Sequence, residues 1–236
     1  MIRLDNISIG YTKALLTAGR IDLQSGNVYI LIGKNGAGKT TLFKSIIGQT
    51  SLISGSIEID STSLTSLTTR EIASKIAFVP ANFPSVDYMR VKDFIALGRS
   101  PHTSFFGHLS NEDEAQIENT MELLGITDLK DAFVTDLSDG QRQLVSIAKA
   151  LAQDTETIIL DEPLAYLDYS NRRSLLEKLE NLAENQNKCI LFSSHDIEIS
   201  NPDKHQFLLI DPIKNEINHL ASSTGKEIIQ ICFPED

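Results

Sequence analysis

One segment of the 236-residue chain constrains the fold more than any other, the run LIGKNGAGKTTLFKSIIG at residues 31–48. It places Gly33, Gly38, Lys39 and Thr40 in the G-x-x-x-x-G-K-[ST] spacing of a phosphate-binding loop. The apolar run VYILI precedes the loop and an apolar helical pattern follows it. In such a loop the backbone N–H groups point at phosphate oxygens, the lysine adds a positive charge, and the hydroxyl binds Mg²⁺. The sequence therefore predicts a strand, a phosphate loop and a helix here.

Short apolar runs alternate with helical patterns along the chain, which favours an α/β domain with a largely parallel sheet. Five of these runs predict core strands, namely Val28–Ile32, Ile76–Val79, Thr157–Leu160, Cys189–Phe192 and Phe207–Ile210. Residues 1–11 and 56–60 instead alternate apolar and polar side chains, which predicts a smaller antiparallel sheet. Residues 110–152 carry helical patterns that begin at a capping residue, Ser110. A further strand is expected at residues 227–233.

Composition limits the possible partners and the compartment. The chain has 21 Lys and Arg against 32 Asp and Glu, a net charge of −11 without any basic block, so nucleic-acid binding is not expected. The apolar runs are much shorter than the roughly 20 residues of a membrane-spanning helix. Cys189 and Cys232 lie in apolar stretches, where buried reduced thiols and a cytoplasmic location are expected. Four histidines are expected at the surface, His102, His108, His205 and His219.

A second motif complements the phosphate loop. The apolar strand in TIILDEP delivers Asp161 to the carboxyl edge of the predicted sheet, where a carboxylate can hold Mg²⁺. Glu162 follows directly, in a position to orient or deprotonate the water that attacks a γ-phosphate. The pair favours a nucleotide hydrolase over a protein that only binds nucleotide.

The heptapeptide LSDGQRQ, residues 137–143, begins another helical pattern, in which Leu144, Ile147 and Leu151 share one apolar face. A helix start of this kind suits an anion. Together with GKNGAGKTT, IILDEP, LAYLD and FSSHD, in this order and spacing, it closely resembles the ATP-binding subunit of ABC transporters. The resemblance implies a P-loop NTPase fold with a mixed core sheet, a small antiparallel β subdomain and a helical insertion. The resemblance implies that residues 1–236 form one ATP-binding domain, with the helical subdomain at approximately 85–155.

What the resemblance implies for activity is hydrolysis of ATP with Mg²⁺, coupled to transport across a membrane. In the family the signature loop of one subunit binds the γ-phosphate of ATP held by the other, so that a head-to-tail homodimer encloses two ATP molecules. By position, Ser138 and Gly140 would donate to that phosphate, within a signature that also includes Asp139 and Gln141.

The same resemblance assigns residues on the chain's own side. Glu162 would be the catalytic base, His195 would contact the γ-phosphate, and Asp168 would bridge the two subunits. Tyr11 matches the aromatic residue that stacks on adenine. The nucleotide would be bound by the loop residues Gly33, Lys34, Asn35, Gly36, Ala37, Gly38, Lys39, Thr40 and Thr41.

Two positions depart from the family pattern. After IAFVP the family usually has a glutamine that reaches Mg²⁺, whereas this chain has Ala81 followed by Asn82. Asn82 therefore joins Thr40 and Asp161 as a candidate metal ligand. Asp139 stands where the signature normally has glycine, and we expect it to cap its helix and point away from the partner's phosphate. The alternative is repulsion between the carboxylate and that phosphate.

Residues 91–102 and 121–155 resemble importers of iron chelates, such as siderophores and haem, or of cobalamin. The implied partners are transmembrane permease subunits and, indirectly, a substrate-binding protein, with this chain on the inner face of the cell membrane. Alternatives are a soluble ABC-type ATPase in iron–sulfur cluster assembly and a nucleotide-gated dimerisation module with little turnover. Several aromatic residues would either fill the core or line a groove for a partner helix, namely Phe83, Tyr88, Phe94, Phe105 and Phe106.

Overall fold

A single hydrogen-bonded sheet organises the protein in a computed structural model that describes residues 1–83, 86–103, 108–195, 201 and 204–220. Its eleven strands within these residues are β1 Ile2–Gly10, β2 Ala14–Ala18, β3 Ile21–Leu23, β4 Val28–Ile32, β5 Leu52–Ile59, β6 Thr62–Ser63, β7 Ile76–Val79, β8 Thr157–Leu160, β9 Cys189–Ser194, β10 His205–Ile210 and β11 Glu216–Leu220. All five predicted core strands are present. The predicted strand at residues 227–233 lies outside the described residues.

The sheet has the order β6-β5-β1-β2-β11-β10-β4-β9-β8-β7, with β3 paired to β1. Strands β10, β4, β9, β8 and β7 run parallel, and β1 pairs antiparallel with β2, β3 and β5. The predicted antiparallel strands are therefore present, and they are continuous with the parallel strands in one mixed sheet. Strand β11 joins the two parts because it pairs antiparallel with β10 and parallel with β2.

Six α-helices occur in the described part of the chain, namely α1 Lys39–Ile46, α2 Thr69–Lys75, α3 Val91–Ala96, α4 Asn111–Leu124, α5 Asp139–Ala152 and α6 Tyr169–Gln186. Helix α4 starts as predicted, because the Ser110 hydroxyl accepts from the backbone N–H of Asp113 and the Asp113 carboxylate accepts from that of Ser110. It ends at Gly125 in the left-handed conformation, which glycine adopts without a steric penalty. Among the described residues, no helix has the length and apolar composition to cross a bilayer.

Two apolar cores cover the two faces of the parallel strands. Helix α1 packs between one face and the antiparallel strands, and it buries Leu42, Phe43 and Ile46 completely. Each of these side chains stabilises the fold by roughly 1.5–3 kcal/mol relative to an exposed position. Helices α3, α4, α5 and α6 pack in the other core. The helical insertion thus shares a core with the sheet that carries the phosphate loop.

The aromatic residues that were expected either to fill the core or to line a groove have different environments. Phe94 is buried and Phe83 packs against it at 5.0 Å between ring centroids, so both contribute to the core. Tyr88 is exposed, whereas Phe105 and Phe106 lie outside the described residues.

The cysteine and histidine predictions also have separate outcomes. Cys189 is a buried free thiol, as expected, and Cys232 is outside the described residues. His102, His108 and His219 are exposed as expected. The prediction for His205 is wrong, because its ring is fully buried at the start of β10 and hydrogen-bonded at 3.0 Å to Glu180 of α6.

Candidate nucleotide site

The carboxyl ends of the parallel strands bring the predicted site residues to one edge of the sheet. The phosphate loop follows β4, the acidic pair follows β8, and His195 follows β9. The register pairs Ile32 with Ser194 and Leu160 with Phe192, so that these segments leave the sheet side by side. A ligand at this edge is typical of open parallel sheets.

The phosphate loop has the tight conformation that its glycines allow. Gly36 and Gly38 have φ values of 80° and 100°, a region that strains residues with a side chain. A Cβ at Gly33 would lie 3.0 Å from the Ile210 side chain, so that this position also favours glycine. The Lys39 ammonium donates to the carbonyl of Gly33 at 2.8 Å and to that of Lys34 at 3.4 Å. Lys39 is thereby held inside the curve of the loop.

Asp161 lies beside Thr40, although 121 positions separate them in the sequence. The Thr40 hydroxyl donates to one carboxylate oxygen of Asp161 at 2.5 Å, and the Ser193 hydroxyl donates to the other at 2.7 Å. Asp161 is only 1% exposed. A hydroxyl and a carboxylate next to a phosphate loop are oxygen donors of the kind Mg²⁺ prefers, so these residues fit that ion.

Glu162 has an unusual backbone conformation, with a φ of 50° that non-glycine residues rarely adopt. Its backbone N–H donates to the Ser193 hydroxyl at 2.8 Å, which holds this conformation in place. The Glu162 carboxylate lies 3.3 Å from the Lys39 ammonium and 3.9 Å from Nδ1 of His195. Strained backbone of this kind clusters at functional sites. The structure thus brings Lys39, Glu162 and His195 together.

Sequence reasoning missed Ser193, which joins Asp161 to Glu162. Its hydroxyl accepts from one residue of the acidic pair and donates to the other, and it is 1% exposed. The signal was present in FSSHD, because a polar residue at the end of an otherwise apolar strand needs a hydrogen-bond partner when it is buried. Only the pairing of β8 with β9 shows which partner it finds.

A small pocket of about 180 Å³ opens at the phosphate loop. It is lined by Leu15, Asn35, Gly36, Gly38, Lys39, Thr40, Thr41 and Glu162. Leu15 was not predicted, and it enters through the packing of β2 against the loop, where its side chain lies 3.2 Å from a Cβ built on Gly38. Tyr11 is 75% exposed in the turn between β1 and β2.

The signature residues Ser138 to Gln141 are not part of this pocket lining. They form the N-terminus of α5, where Ser138 is the capping residue and forms a reciprocal capping box with Gln141. The prediction that Asp139 caps this helix is therefore wrong. Its carboxylate is one residue too late to cap, and accepts instead from Arg142 at 3.2 Å. Gly140 lies close to the carbonyl of Tyr166, where a Cβ would approach within 3.0 Å.

Asp168 and Asn82 are exposed, and neither lines the pocket at the phosphate loop. The Asp168 carboxylate caps α6, accepting from the backbone N–H of Asn171 at 2.8 Å and from its side-chain amide at 3.0 Å. Asn82 follows β7 and is exposed next to the half-buried Ala81. The structure thus adds a local capping role for Asp168 to the one that the resemblance implied.

The fold and the site define a P-loop NTPase, with a phosphate loop after β4 and an acidic pair after β8, which β9 separates from β4 in the sheet. The family model for ABC transporters matches residues 16–165, and the chain belongs to this family.

Two curated relatives and one solved structure illustrate the similarity. The Iron(3+)-hydroxamate import ATP-binding protein FhuC of Bacillus subtilis (strain 168) is 33% identical over 194 residues, 82% of this chain and 72% of the relative. The Ferric enterobactin transport ATP-binding protein FepC of Escherichia coli (strain K12) is 32% identical over 197 residues, 83% of this chain and 73% of the relative. A solved inward-facing ABC transporter has a TM-score of 0.82 at 28% identity, over 98% of this chain and 88% of that chain.

Proposed function

We propose that this protein binds and hydrolyses ATP to energise a membrane importer of iron chelates. The observation that carries the enzymatic part is the arrangement of Asp161 and Glu162 on the Ser193 hydroxyl beside Lys39 of the phosphate loop. A protein that only bound nucleotide would not need a carboxylate held in a strained conformation at the phosphate end of the pocket.

The mechanism follows from the positions of the side chains. Lys39 offsets the negative charge of the phosphate oxygens, and the loop N–H groups orient them. The Glu162 carboxylate orients and deprotonates the water that attacks the γ-phosphate, and His195 contacts the same phosphate. Thr40 and Asp161 would hold Mg²⁺, with Asn82 as a further candidate ligand, and the bound ion would supply positive charge to the phosphates. Tyr11 stacks on the adenine from its exposed turn.

Two copies of the chain act together in this proposal. The N-terminus of α5 is exposed. Its residues are not among the described residues that line the chain's own phosphate pocket. The Ser138 and Gly140 groups can therefore serve a phosphate held by another copy. A head-to-tail homodimer places each signature on the partner's ATP, with Asp168 at the junction, and a monomer binds ATP but hydrolyses it slowly.

The membrane part of the proposal rests on the relatives and on a groove. FhuC is named for import of iron(3+)-hydroxamate and FepC for transport of ferric enterobactin, and neither name mentions haem or cobalamin. A groove of about 1030 Å³ runs between the end of α1, β5, α2 and the end of α5, and Pro80 lines it next to Ala81. We assign this groove to a permease subunit, with a substrate-binding protein acting on the far side. The chain itself is then cytoplasmic and peripheral to the membrane.

One experiment tests the whole proposal. The chain is purified together with its co-encoded neighbours, and its ATPase rate is measured alone and with any polytopic membrane protein that co-elutes. We expect co-elution, a rate that rises with the membrane protein, and almost no activity in Glu162→Gln. Asp139→Gly serves as the comparison and should change the rate less than about tenfold, because Asp139 lies on the exposed first turn of α5 and touches neither carboxylate of its own chain's acidic pair.

Each contrary outcome points to a different protein. Full activity without any membrane partner would replace the importer by a soluble ATPase, such as one for iron–sulfur cluster assembly. A wild-type rate no higher than that of Glu162→Gln would replace the hydrolase by a nucleotide-gated dimerisation module.

A further inference from the structure

Lys34 is an exposed cation at the tip of the phosphate loop. Within the loop, Lys34, Asn35 and Gly36 are exposed, whereas Gly38 and Lys39 are buried. Lys34 is therefore the one charged residue that the loop presents outward. Its carbonyl accepts from Lys39, but its ammonium forms no ion pair with any residue in the described part of the chain. Its charge is available to a group outside this subunit.

Asp139 is the corresponding anion on the signature. Its side chain is 70% exposed at the first turn of α5, beside the exposed capping residue Ser138. Its contact with Arg142 at 3.2 Å joins residues three apart in the first turn of α5, where both side chains are at least partly exposed, and such a pair contributes little. A carboxylate at this position faces whatever approaches the signature, and a triphosphate alone would repel it.

We propose that Lys34 of one chain pairs with Asp139 of its partner across each of the two nucleotides. The inference rests on the head-to-tail dimer proposed above, in which the outer loop residues of one copy meet the signature of the other. Each copy carries a net charge of −11, so that two copies repel each other as they approach. Two symmetric pairs of opposite charge, one at each nucleotide, offset that repulsion at the dimer interface. They also fix the position of one copy relative to the other.

The pair also explains how an acidic signature can work. The ammonium of Lys34 compensates the Asp139 carboxylate next to the partner's phosphates, so the aspartate need not be turned away from the interface. Lys34 is thus a positioning residue for the dimer rather than a catalytic one.

The test measures ATP-dependent dimerisation by analytical ultracentrifugation, at low and high ionic strength, in a Glu162→Gln background that preserves bound ATP. The variants are Lys34→Glu, Asp139→Lys and the two together. Lys130→Glu is the matched control for Lys34→Glu, because Lys130 is exposed after α4 and both substitutions lower the net charge of the chain by two. We expect each single reversal to weaken the dimer about tenfold at low salt, the double reversal to restore it within about threefold, and high salt to reduce these differences.

A second set of variants removes the two charges instead of reversing them, so that the test does not depend on correct folding of α5 in the Asp139→Lys chain. Lys34→Met, Asp139→Asn and their combination form a double-mutant cycle in the same background, with binding of a fluorescent ATP analogue to each variant as the check on the phosphate loop. The pair predicts that the second substitution has almost no effect once the first is present. The Lys34–Asp139 pair would be overturned, with the dimer left intact, by either of two results. One is that the two neutral substitutions weaken dimerisation independently; the other is that the double reversal dimerises as weakly as the single reversals. A parent that stays monomeric with ATP would overturn the dimer and the pair together.

Discussion

Replacement of Ser193 by alanine tests the part of the site that sequence patterns did not reveal. The change removes one oxygen from a position that is 1% exposed. That oxygen donates to Asp161 at 2.7 Å and accepts from the backbone of Glu162 at 2.8 Å. The substitution therefore leaves the Asp161 carboxylate and the Glu162 backbone N–H each without this hydrogen-bond partner.

The size of the effect follows from the two bonds. A hydrogen bond to a charged group contributes about 1.5–3 kcal/mol, and one between neutral groups about 0.5–1.5 kcal/mol. We therefore expect Ser193→Ala to lower the free energy of unfolding by about 2–4 kcal/mol. Glu162 also loses the bond that holds its φ at 50°, a conformation that costs about 1–3 kcal/mol. Its carboxylate then moves from Lys39, and a shift of about 1 Å can slow catalysis about a hundredfold.

Ser45→Ala is the matched control for this substitution. Ser45 lies in α1 with 0% exposure, and its hydroxyl has no hydrogen-bond partner among the described residues. The same atom is removed from an equally buried place, yet we expect the unfolding free energy to change by less than about 0.5 kcal/mol. Urea unfolding and steady-state ATPase rates measure both effects. Equal destabilisation by the two variants, or an unchanged ATPase rate in Ser193→Ala, would refute the role assigned to Ser193.

Three further predictions concern single groups. Hydrogen bonds from Ser110, and to a smaller extent from Arg99, lower the pKa of the Asp113 carboxyl from 3.8 to about 2. The stability that these bonds provide is therefore complete above pH 3.8 and is lost as the pH falls toward 2. Asp113→Asn should cost about 3 kcal/mol at neutral pH and progressively less in acid, as urea midpoints will show, and a pH-independent difference would contradict this. Burial raises the pKa of Cys189 to about 12, so a maleimide should label its peptide only in urea; equal labelling in native protein would disprove it. Tyr11→Ala should raise the KM for ATP about tenfold whereas Tyr11→Phe should not, and identical KM values would exclude stacking.

The parts of this protein that could be predicted from the sequence are those encoded by neighbouring residues. The spacing of Gly33, Gly38 and Lys39 specifies a phosphate loop because backbone torsions and a nearby cation act over a few positions. The start of α4 follows from Ser110, since a cap and its third residue form one local unit. The helical pattern that begins at LSDGQRQ likewise predicted where α5 starts. The core strands were likewise recognisable as short apolar runs.

Local patterns were insufficient wherever a side chain finds its partner across the fold. The alternation in β1 and β5 predicted antiparallel strands, but not that β11 would join them to the parallel strands. His205 has no local signal for burial, and it is buried because β10 packs under α6, where Glu180 accepts its hydrogen bond. One local prediction also failed, because serine and aspartate are both preferred as caps: Asp139 was expected to cap α5, whereas its neighbour Ser138 does so.

By itself the sequence determined the class of chemistry, because the phosphate loop and the acidic pair Asp161 and Glu162 are each encoded within a few residues. Only the tertiary structure decided how they work together. The pairing of β8 with β9 places Ser193 between the two carboxylate residues, and the packing of the helical insertion keeps the signature out of the chain's own phosphate pocket. Both arrangements depend on strand register and long-range packing, which no short stretch of sequence specifies.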